Sequence, residues 1–273
     1  MISDVMKKFE SPSDYSKFSY MIKKKSRDPE GSWCQNFLEG LLATCKTRTI
    51  ELPPKTKLWR SQLGKDKSRQ NISAGIICLD TTLRPFPPHR MKPLPDKAEA
   101  GRANPKGVPV LYLSTDRETA MSECRPWLAA FISIGMFYTN RDLKILDLSK
   151  DEYIPVRTNN MGKINNDQNL VEKVIWGNIN KAFTKPIQRS DQIADYIPTQ
   201  VIAEFFKSKN FDGLKYRSAL GKGYNIALFD PSSTEQADCS LFDVKSISLS
   251  FKAIDGAKYS THFGENRNNY EDT

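Results

Sequence analysis

The segment GRANPKGVPVLYLSTDRETAMSECRP, residues 101–126, decides the fold of this chain. Its first part is a loop in which Arg102 and Asn104 lie between two glycines, whose backbones reach conformations that other residues resist. The apolar run VPVLYLS at residues 108–114 follows, and it predicts a buried strand that carries Tyr112. The loop therefore leads directly into the core of the fold.

The end of the same segment predicts a short helix. Thr115 and Glu118 have the spacing of a T-x-x-E capping box, and Pro126 interrupts the helix that begins there. Glu123 lies on this helix beside the small apolar stripe that contains Ala120. We therefore expect its carboxylate to point toward the inner edge of the fold, where a charge is desolvated.

Strand and helix patterns alternate irregularly along the rest of the chain, which predicts an α+β fold rather than a doubly wound α/β fold. The longest apolar run, PWLAAFISIGMFY at residues 126–138, is too short to span a bilayer and predicts a buried helix or a helix–strand junction. Helices are predicted at about 33–45, 166–183 and 198–209. Strands are predicted at KLWRSQ (57–62), SAGIICLD (73–80), LKILDLS (143–149), LKYRS (214–218) and YNIALFD (224–230).

The composition is that of an ordinary globular protein: of 273 residues, 27% are charged and 38% are apolar. We divide the chain into a helical N-terminal extension at 1–50, a main domain at 51–252 and a polar C-terminal tail at 253–273. The first residues contain no secretory signal, so we expect the protein in the cytoplasm. Five cysteines without a C-x-x-C pair, with only two histidines, support neither a zinc site nor a disulfide framework, so we expect no metal.

The formal net charge of +9 admits an anionic partner such as nucleic acid, a membrane surface or a phosphorylated small molecule. Solvated faces that aid solubility are the better explanation of the basic stretches at 23–27 and 55–69. A basic nucleic-acid-binding module stays open as an alternative, but aromatic residues are not interleaved with the basic ones as a single-strand platform requires. We therefore expect neither a nucleic acid nor a membrane as partner.

Four groups of polar residues can be read together as one candidate site. Taken singly, each has an ordinary explanation, such as a surface ion pair, a satisfied core tyrosine or a turn serine. A loop bounded by glycines can wrap a phosphate, and an arginine fork can hold two of its oxygens. The candidates are Arg60 in LWRSQ, Arg102 in GRANPKG, Tyr112 with Glu123 on the helix that follows, and Ser218 with Asn225 in YRSALGKGYN.

Two of these segments resemble the signatures of the RES-domain family, which is named for an arginine, a glutamate and a serine. The segment at 101–126 resembles the central signature, and FDGLKYRSALGKGYNIALFDP at 211–231 resembles the C-terminal one. The resemblance spans about residues 55–232, with LWRSQ upstream as the arginine-bearing strand. The family motif G-G-R-W-N reads AGRAN at 100–104, and Ser61 stands where an aromatic residue often follows the first arginine.

The resemblance implies an ADP-ribosyltransferase-like fold, with a mixed β core and surrounding helices, and an enzyme that consumes NAD as its substrate. Members of the family are bacterial toxins that break down NAD by phosphorolysis or hydrolysis, and some modify a protein with ADP-ribose. For this chain it implies NAD phosphorylase or NAD glycohydrolase activity, with mono-ADP-ribosylation of a target protein as the alternative. The partners implied are inorganic phosphate and a cognate antitoxin or immunity protein. Apart from the resemblance, we consider a second copy of the chain as a partner, bound through the N-terminal extension at 1–50.

By the same resemblance, Arg60, Glu123 and Ser218 are catalytic, and Arg60, Arg102, Tyr112 and Asn225 bind NAD. Cleavage of the nicotinamide–ribose bond passes through an oxocarbenium-like centre, as glycoside hydrolysis does. Arginines can hold the pyrophosphate, a carboxylate can stabilise the developing positive charge, and a tyrosine can stack on the nicotinamide. Nicotinamide is already a good leaving group, so a chain poor in histidine and without a metal motif can still carry this chemistry.

Overall fold

The computed structural model describes residues 9–24, 33–66, 70–73, 76–79, 83–94, 97–186 and 193–251. The predicted C-terminal tail at 253–273 lies outside the described residues. The helices are α1 (Asp14–Lys24), α2 (Trp33–Thr44), α3 (Pro88–Met91), α4 (Arg117–Glu123), α5 (Thr158–Asn165), α6 (Gln168–Thr184) and α7 (Ile197–Ser208). The strands are β1 (Thr49–Leu52), β2 (Lys57–Leu63), β3 (Gln70–Ser73), β4 (Ile76–Leu79), β5 (Leu111–Ser114), β6 (Phe131–Thr139), β7 (Leu143–Asp147), β8 (Gly213–Arg217), β9 (Tyr224–Leu228) and β10 (Thr234–Asp243).

Among the described residues, eight strands form one mixed sheet in the order β1-β7-β8-β9-β5-β2-β6-β10. β7 and β8 run parallel, whereas the other neighbouring strands of this sheet run antiparallel. β3 and β4 form a separate antiparallel pair. The predicted α+β class, with a mixed β core and surrounding helices, is confirmed.

β10 lies at one edge of this sheet and, within the described parts of the chain, pairs only with β6. Its register on β6 shifts between Gln236 and Asp238, so the strand contains a β-bulge. Three acidic side chains of β10, those of Glu235, Asp238 and Asp243, are exposed. The edge of the sheet is therefore bent and negatively charged.

Residues 131–138 of the longest apolar run lie in strand β6, so the first alternative, a buried helix, is wrong. The second, a helix–strand junction, is nearer to the structure, because the run begins three residues after α4 ends. Isoleucine and phenylalanine recur along the strand, and both residue types pack well on a pleated surface. β6 pairs with β2 on one side and with β10 on the other. Trp127 and Leu128, which precede it, stay 63% and 60% exposed. The run therefore divides into an exposed loop and an interior strand.

The strand and the helix predicted from the segment at 101–126 are both present, but the strand is shorter than predicted. β5 begins at Leu111, and Pro109 lies before it, because proline has no backbone N–H to donate to a neighbouring strand. α4 ends at Glu123 and is followed by a residue with positive φ, Arg125. Glu123 is therefore the last residue of its helix.

The helix α4 is capped one residue later than predicted. The side chain of Asp116 accepts a hydrogen bond from the backbone N–H of Thr119 at 2.8 Å, which makes Asp116 the N-cap residue. The hydroxyl of Thr115 instead accepts from the backbone N–H of Tyr224 at 3.0 Å. Thr115 therefore links the end of β5 to the beginning of β9.

The helices α1, α2, α6 and α7 share one hydrophobic core with residues of β7, β8 and β9. The largest side chain that is fully buried in it is Trp176, whose indole N–H donates to the hydroxyl of Thr44 at 3.1 Å. This bond ties α6 to α2. Residue 50, the predicted end of the N-terminal extension, lies within β1, which pairs with β7. The division into domains stays a prediction.

Gly177 lies where the chain passes closest to α6, and a Cβ at this position would collide with the carbonyl oxygen of Glu152. We expect Gly177→Ala to lower the free energy of unfolding by about 1–3 kcal/mol, because the backbone must move to relieve the overpacking. Gly162→Ala in α5 is the matched control, since no described atom outside its own surroundings in the helix lies within 4 Å of that Cβ position. Alanine there should raise the free energy of unfolding by about 0.5–1 kcal/mol. Denaturant unfolding measures both, and equal effects would contradict the argument.

Candidate active site

A cavity of about 470 Å³ lies where β2, β5, α4 and the end of α6 meet. Most of the residues that the sequence predicts for the site line this cavity. Arg60, Arg102, Tyr112, Glu123 and Asn225 all line it. Ser218 reaches it indirectly, through a hydrogen bond to Glu123 from the loop after β8. The fold therefore brings all six predicted residues together around one cavity.

The carboxylate of Glu123 is held through one of its two oxygens. Oε1 accepts from the hydroxyl of Ser218 at 2.6 Å and from Nδ2 of Asn225 at 2.7 Å. Within the described residues, no donor reaches Oε2. The side chain of Glu123 is exposed at the cavity, so the expectation that its charge is desolvated is wrong, although its carboxylate does meet the buried Asn225 of β9. Its position at the end of α4 leaves it in contact with solvent while two donors fix its orientation.

The two donors are themselves fixed by further hydrogen bonds. Oδ1 of the buried Asn225 accepts from the hydroxyl of Ser114 at 2.9 Å, which turns Nδ2 toward Glu123. The hydroxyl oxygen of Ser218 accepts from the backbone N–H of Leu220 at 3.1 Å and of Gly221 at 2.9 Å. Its own proton is therefore left to donate to the carboxylate.

Arg60 extends from β2 into the wall of the cavity with few partners. Its Nη1 is 3.4 Å from the carbonyl oxygen of Tyr112, and its buried Nε has no hydrogen-bond partner among the described residues. Burial lowers the pKa of its guanidinium below the ordinary value. A buried charge that is so poorly compensated raises the free energy of the fold, and such groups are concentrated at functional sites.

Ser61, which stands where the family often has an aromatic residue, ties β2 to α4. Its hydroxyl donates to the carbonyl of Ala120 and lies 2.9 Å from Sγ of Cys124. Burial raises the pKa of the Cys124 thiol. The small side chain therefore lets α4 lie close to β2, next to the helix end that carries Glu123.

Arg102 lies in the cavity wall, but its guanidinium is already engaged. Nη1 donates to the carbonyl of Ala182 at 2.8 Å, and Nη2 donates to the carbonyl of Lys185. These carbonyls belong to the last turn of α6, where helix carbonyls lack partners of their own. Arg102 therefore caps α6 and fixes the loop at 101–107 against the end of that helix.

Tyr112 holds the same loop from β5. Its hydroxyl accepts from the backbone N–H of Ala103 at 2.9 Å and donates to Oδ1 of Asn104 at 2.7 Å. A Cβ at Gly101 would collide with this hydroxyl, so only glycine fits there. Burial raises the pKa of Tyr112, and its hydroxyl stays protonated. What Tyr112 offers the cavity is therefore the face of its ring.

The family model of the RES domain matches residues 82–246, more than half of the chain. The chain belongs to the RES-domain family. Five of the six site residues lie within the matched part of this RES domain, whereas Arg60 lies upstream of it. The resemblance seen in the sequence is confirmed.

Among curated proteins, none matches the chain. Among solved structures, the crystal structure of the M. tuberculosis MbcT–MbcA toxin–antitoxin complex resembles this RES domain, with 14% sequence identity and a TM-score of 0.39. The match covers 76% of this chain and 93% of that chain.

The RES domain also places two aromatic residues in the cavity wall that the sequence analysis does not single out. Phe183 at the end of α6 and Tyr216 in β8 line the cavity, and their ring centroids are 5.6 Å apart. Burial raises the pKa of Tyr216 well above its ordinary value. In the strand predicted at LKYRS (214–218), Tyr216 precedes Ser218 by two residues, the spacing that puts side chains on one face of a strand, and this signal could have found Tyr216.

Two kinds of site are not found in the described part of the RES domain. No group of three or more histidine, cysteine, aspartate or glutamate side chains is arranged there to hold a metal ion. Over the same residues, no helix is long and apolar enough to cross a membrane.

Proposed function

We propose that this RES domain cleaves the bond between nicotinamide and ribose in NAD and transfers the ADP-ribosyl group to phosphate or to water. This is the activity of an NAD phosphorylase or an NAD glycohydrolase. The observation that carries the proposal is the carboxylate of Glu123, which Ser218 and Asn225 hold through one oxygen at the wall of the cavity. Its second oxygen is placed to meet a ligand.

In the proposed reaction the bond between C1′ and the nicotinamide nitrogen breaks, and its electron pair leaves with the nicotinamide. That nitrogen is cationic in NAD, so the leaving group departs neutral and needs no proton. Positive charge develops on the ribose, and the anionic Glu123 stabilises it. Phosphate then attacks C1′ to give ADP-ribose 1″-phosphate, or water attacks, loses a proton and gives ADP-ribose.

The other residues of the cavity bind and orient in this proposal. Arg60 donates to the pyrophosphate, since its Nε has no partner among the described residues. Arg102 adds positive charge from its position at the end of α6, and its bonds to the helix hold the loop in place. Tyr112 presents its ring to the nicotinamide. Ser218 and Asn225 fix the orientation of the carboxylate that acts at the ribose.

The biological role that fits this chemistry is that of a toxin. NAD is a cofactor shared by many pathways, so its unregulated loss arrests the cell that contains the enzyme. We propose that the chain acts in the cytoplasm and that a cognate antitoxin or immunity protein holds it inactive. A partner segment that filled the cavity next to Glu123 would exclude NAD.

A time course of NAD with the purified protein tests the proposed function, with and without inorganic phosphate and with products identified by mass. We expect loss of NAD, with free nicotinamide and either ADP-ribose or its 1″-phosphate as products. Phosphate-dependent loss identifies the phosphorylase. Slow loss of NAD with an ADP-ribose label on an added target protein would replace the proposal by its alternative, and intact NAD under all conditions would refute both.

A further inference from the structure

A second cavity, of about 410 Å³, lies on the other side of the end of α6. Thr184, Lys185 and Pro186 line both cavities, so the last turn of α6 and the residues after it form a common wall. The remaining lining residues of the second cavity are Glu152, Tyr153, Asn180, Lys181 and Arg217. None of the residues predicted for the site lines this second cavity.

Positive charge dominates the lining of the second cavity. Among the described lining residues, Lys181, Lys185 and Arg217 carry positive charge and Glu152 carries the one carboxylate. The ion pair between Arg217 and Glu152 spans 3.4 Å, and Glu152 is 80% exposed, so water screens this pair and an anionic ligand can replace it. Nε of Arg217 donates to the carbonyl of Ser149 at 3.2 Å, which fixes the direction of the guanidinium. The cavity therefore favours an anion.

The same cavity offers an aromatic surface. The ring of Tyr153 is 44% exposed, and Nζ of Lys181 lies 3.4 Å from its centroid. Pro186 adds a further apolar side chain to the lining. Lys181 covers one face of the Tyr153 ring, which leaves the other face for a planar base. An aromatic ring with several cations near it suits a nucleotide, because the free ring face can stack on the base and the cations can hold the phosphate.

The helix end between the cavities would ordinarily repel an anion, because the carbonyls of a last helical turn carry partial negative charge. Here Arg102 donates to two of these carbonyls, those of Ala182 and Lys185. The hydroxyl of Thr184 donates to the carbonyl of Arg217 at 3.0 Å, which binds the helix end to β8. The common wall is therefore neutralised and held in place.

We propose that the second cavity binds the adenylate end of a nucleotide, with the base on Tyr153 and the phosphate among Lys181, Lys185 and Arg217. The choice of a nucleotide rests on the proposed function. Two sources have this chemistry: the adenosine phosphate half of a dinucleotide whose other half occupies the first cavity, or a separate nucleotide that binds next to it.

Calorimetric titration of the full-length protein with AMP and with ADP-ribose tests this site. Neither probe contains the bond that the enzyme is proposed to cleave, so the titration does not depend on turnover. We expect Tyr153→Ala and Lys181→Met each to weaken AMP binding by about tenfold. Tyr20→Ala and Lys24→Met are matched controls, because Nζ of Lys24 lies 5.1 Å from the ring centroid of Tyr20 on α1, and neither residue lines either of the two cavities described above.

Titrating AMP in the presence and absence of ADP-ribose distinguishes a dinucleotide that spans both cavities from a separate nucleotide in the second cavity. If one dinucleotide spans both cavities, AMP competes with ADP-ribose, and both bind more weakly to Tyr153→Ala. If a separate nucleotide binds, AMP still binds to protein saturated with ADP-ribose. Parental affinity for AMP in both variants, or no binding of AMP to the parental protein, overturns the proposal. Loss of NAD in the activity assay is measured independently, so failure of this site and failure of the proposed function give different results.

Discussion

Glu123→Gln is expected to reduce the loss of NAD by at least about 1,000-fold while the protein stays folded. The amide of glutamine is neutral, so it cannot stabilise the positive charge that develops on the ribose. Its oxygen can still accept from Ser218 and Asn225, and the side chain is exposed, so the free energy of unfolding should change by less than about 0.5 kcal/mol. The activity assay and a thermal unfolding curve measure the two quantities on the same preparation.

Glu118→Gln is the matched control for this experiment. Glu118 lies on the same helix, α4, is exposed and does not line the cavity. Its ion pair with Arg117 spans 3.5 Å at the surface and contributes little. We expect the parental rate from this variant. A parental rate from Glu123→Gln as well would show that the carboxylate at the cavity has no part in the reaction.

Arg60→Met is expected to lower the activity by about 100-fold without lowering stability. The guanidinium of Arg60 is buried away from water. Within the described residues its one hydrogen bond is the 3.4 Å contact from Nη1 to the carbonyl oxygen of Tyr112. Replacing a buried charge by an apolar side chain of similar volume is often neutral or stabilising. The variant should therefore unfold at the parental temperature or above it, while its cavity has lost a cation for the pyrophosphate.

Arg48→Met shows what loss of a structural arginine does. Arg48 is buried, and its Nε and Nη1 also lack described partners, but its Nη2 pairs with Asp151 and its guanidinium lies 4.6 Å from the ring centroid of Trp176. Methionine leaves Asp151 without its partner and should lower the free energy of unfolding by about 3 kcal/mol. The folded fraction should retain its activity. If Arg60→Met destabilises the protein as much as Arg48→Met does, the role assigned to Arg60 is wrong.

The spacing of apolar residues along the sequence is sufficient to predict helices that bury a single apolar face. α6 and α7 lie within a few residues of their predicted positions, because each has an apolar stripe that needs only a surface to cover it. β6 is different, since a run of apolar residues suits a helix or a strand equally well. Its pairing with β2 and β10, which are distant in sequence, decides for the strand.

The residue types of the site can be predicted from the sequence, but their contacts cannot. Glu123 and Ser218 meet at 2.6 Å because the loop after β8 passes over α4, where a Cβ at Gly221 or Gly223 would collide with Thr119. The two partners of Arg102 depend on where α6 ends in space, which no local pattern specifies. The sequence therefore predicts an arginine at the site, and the structure adds that this arginine also caps a helix.

The bulged edge strand β10 bears on how this protein meets copies of itself. A strand of ten residues with an unused side is a template onto which another chain can add its own strand, which is how many soluble proteins begin to aggregate. The shift at Gln236 breaks the regular row of donors and acceptors that such an addition needs. The exposed carboxylates of Glu235, Asp238 and Asp243 add negative charge along this edge, which disfavours the approach of a second copy of the same edge. The bulge and the negative charge of β10 therefore disfavour addition of a further strand at this edge of the sheet.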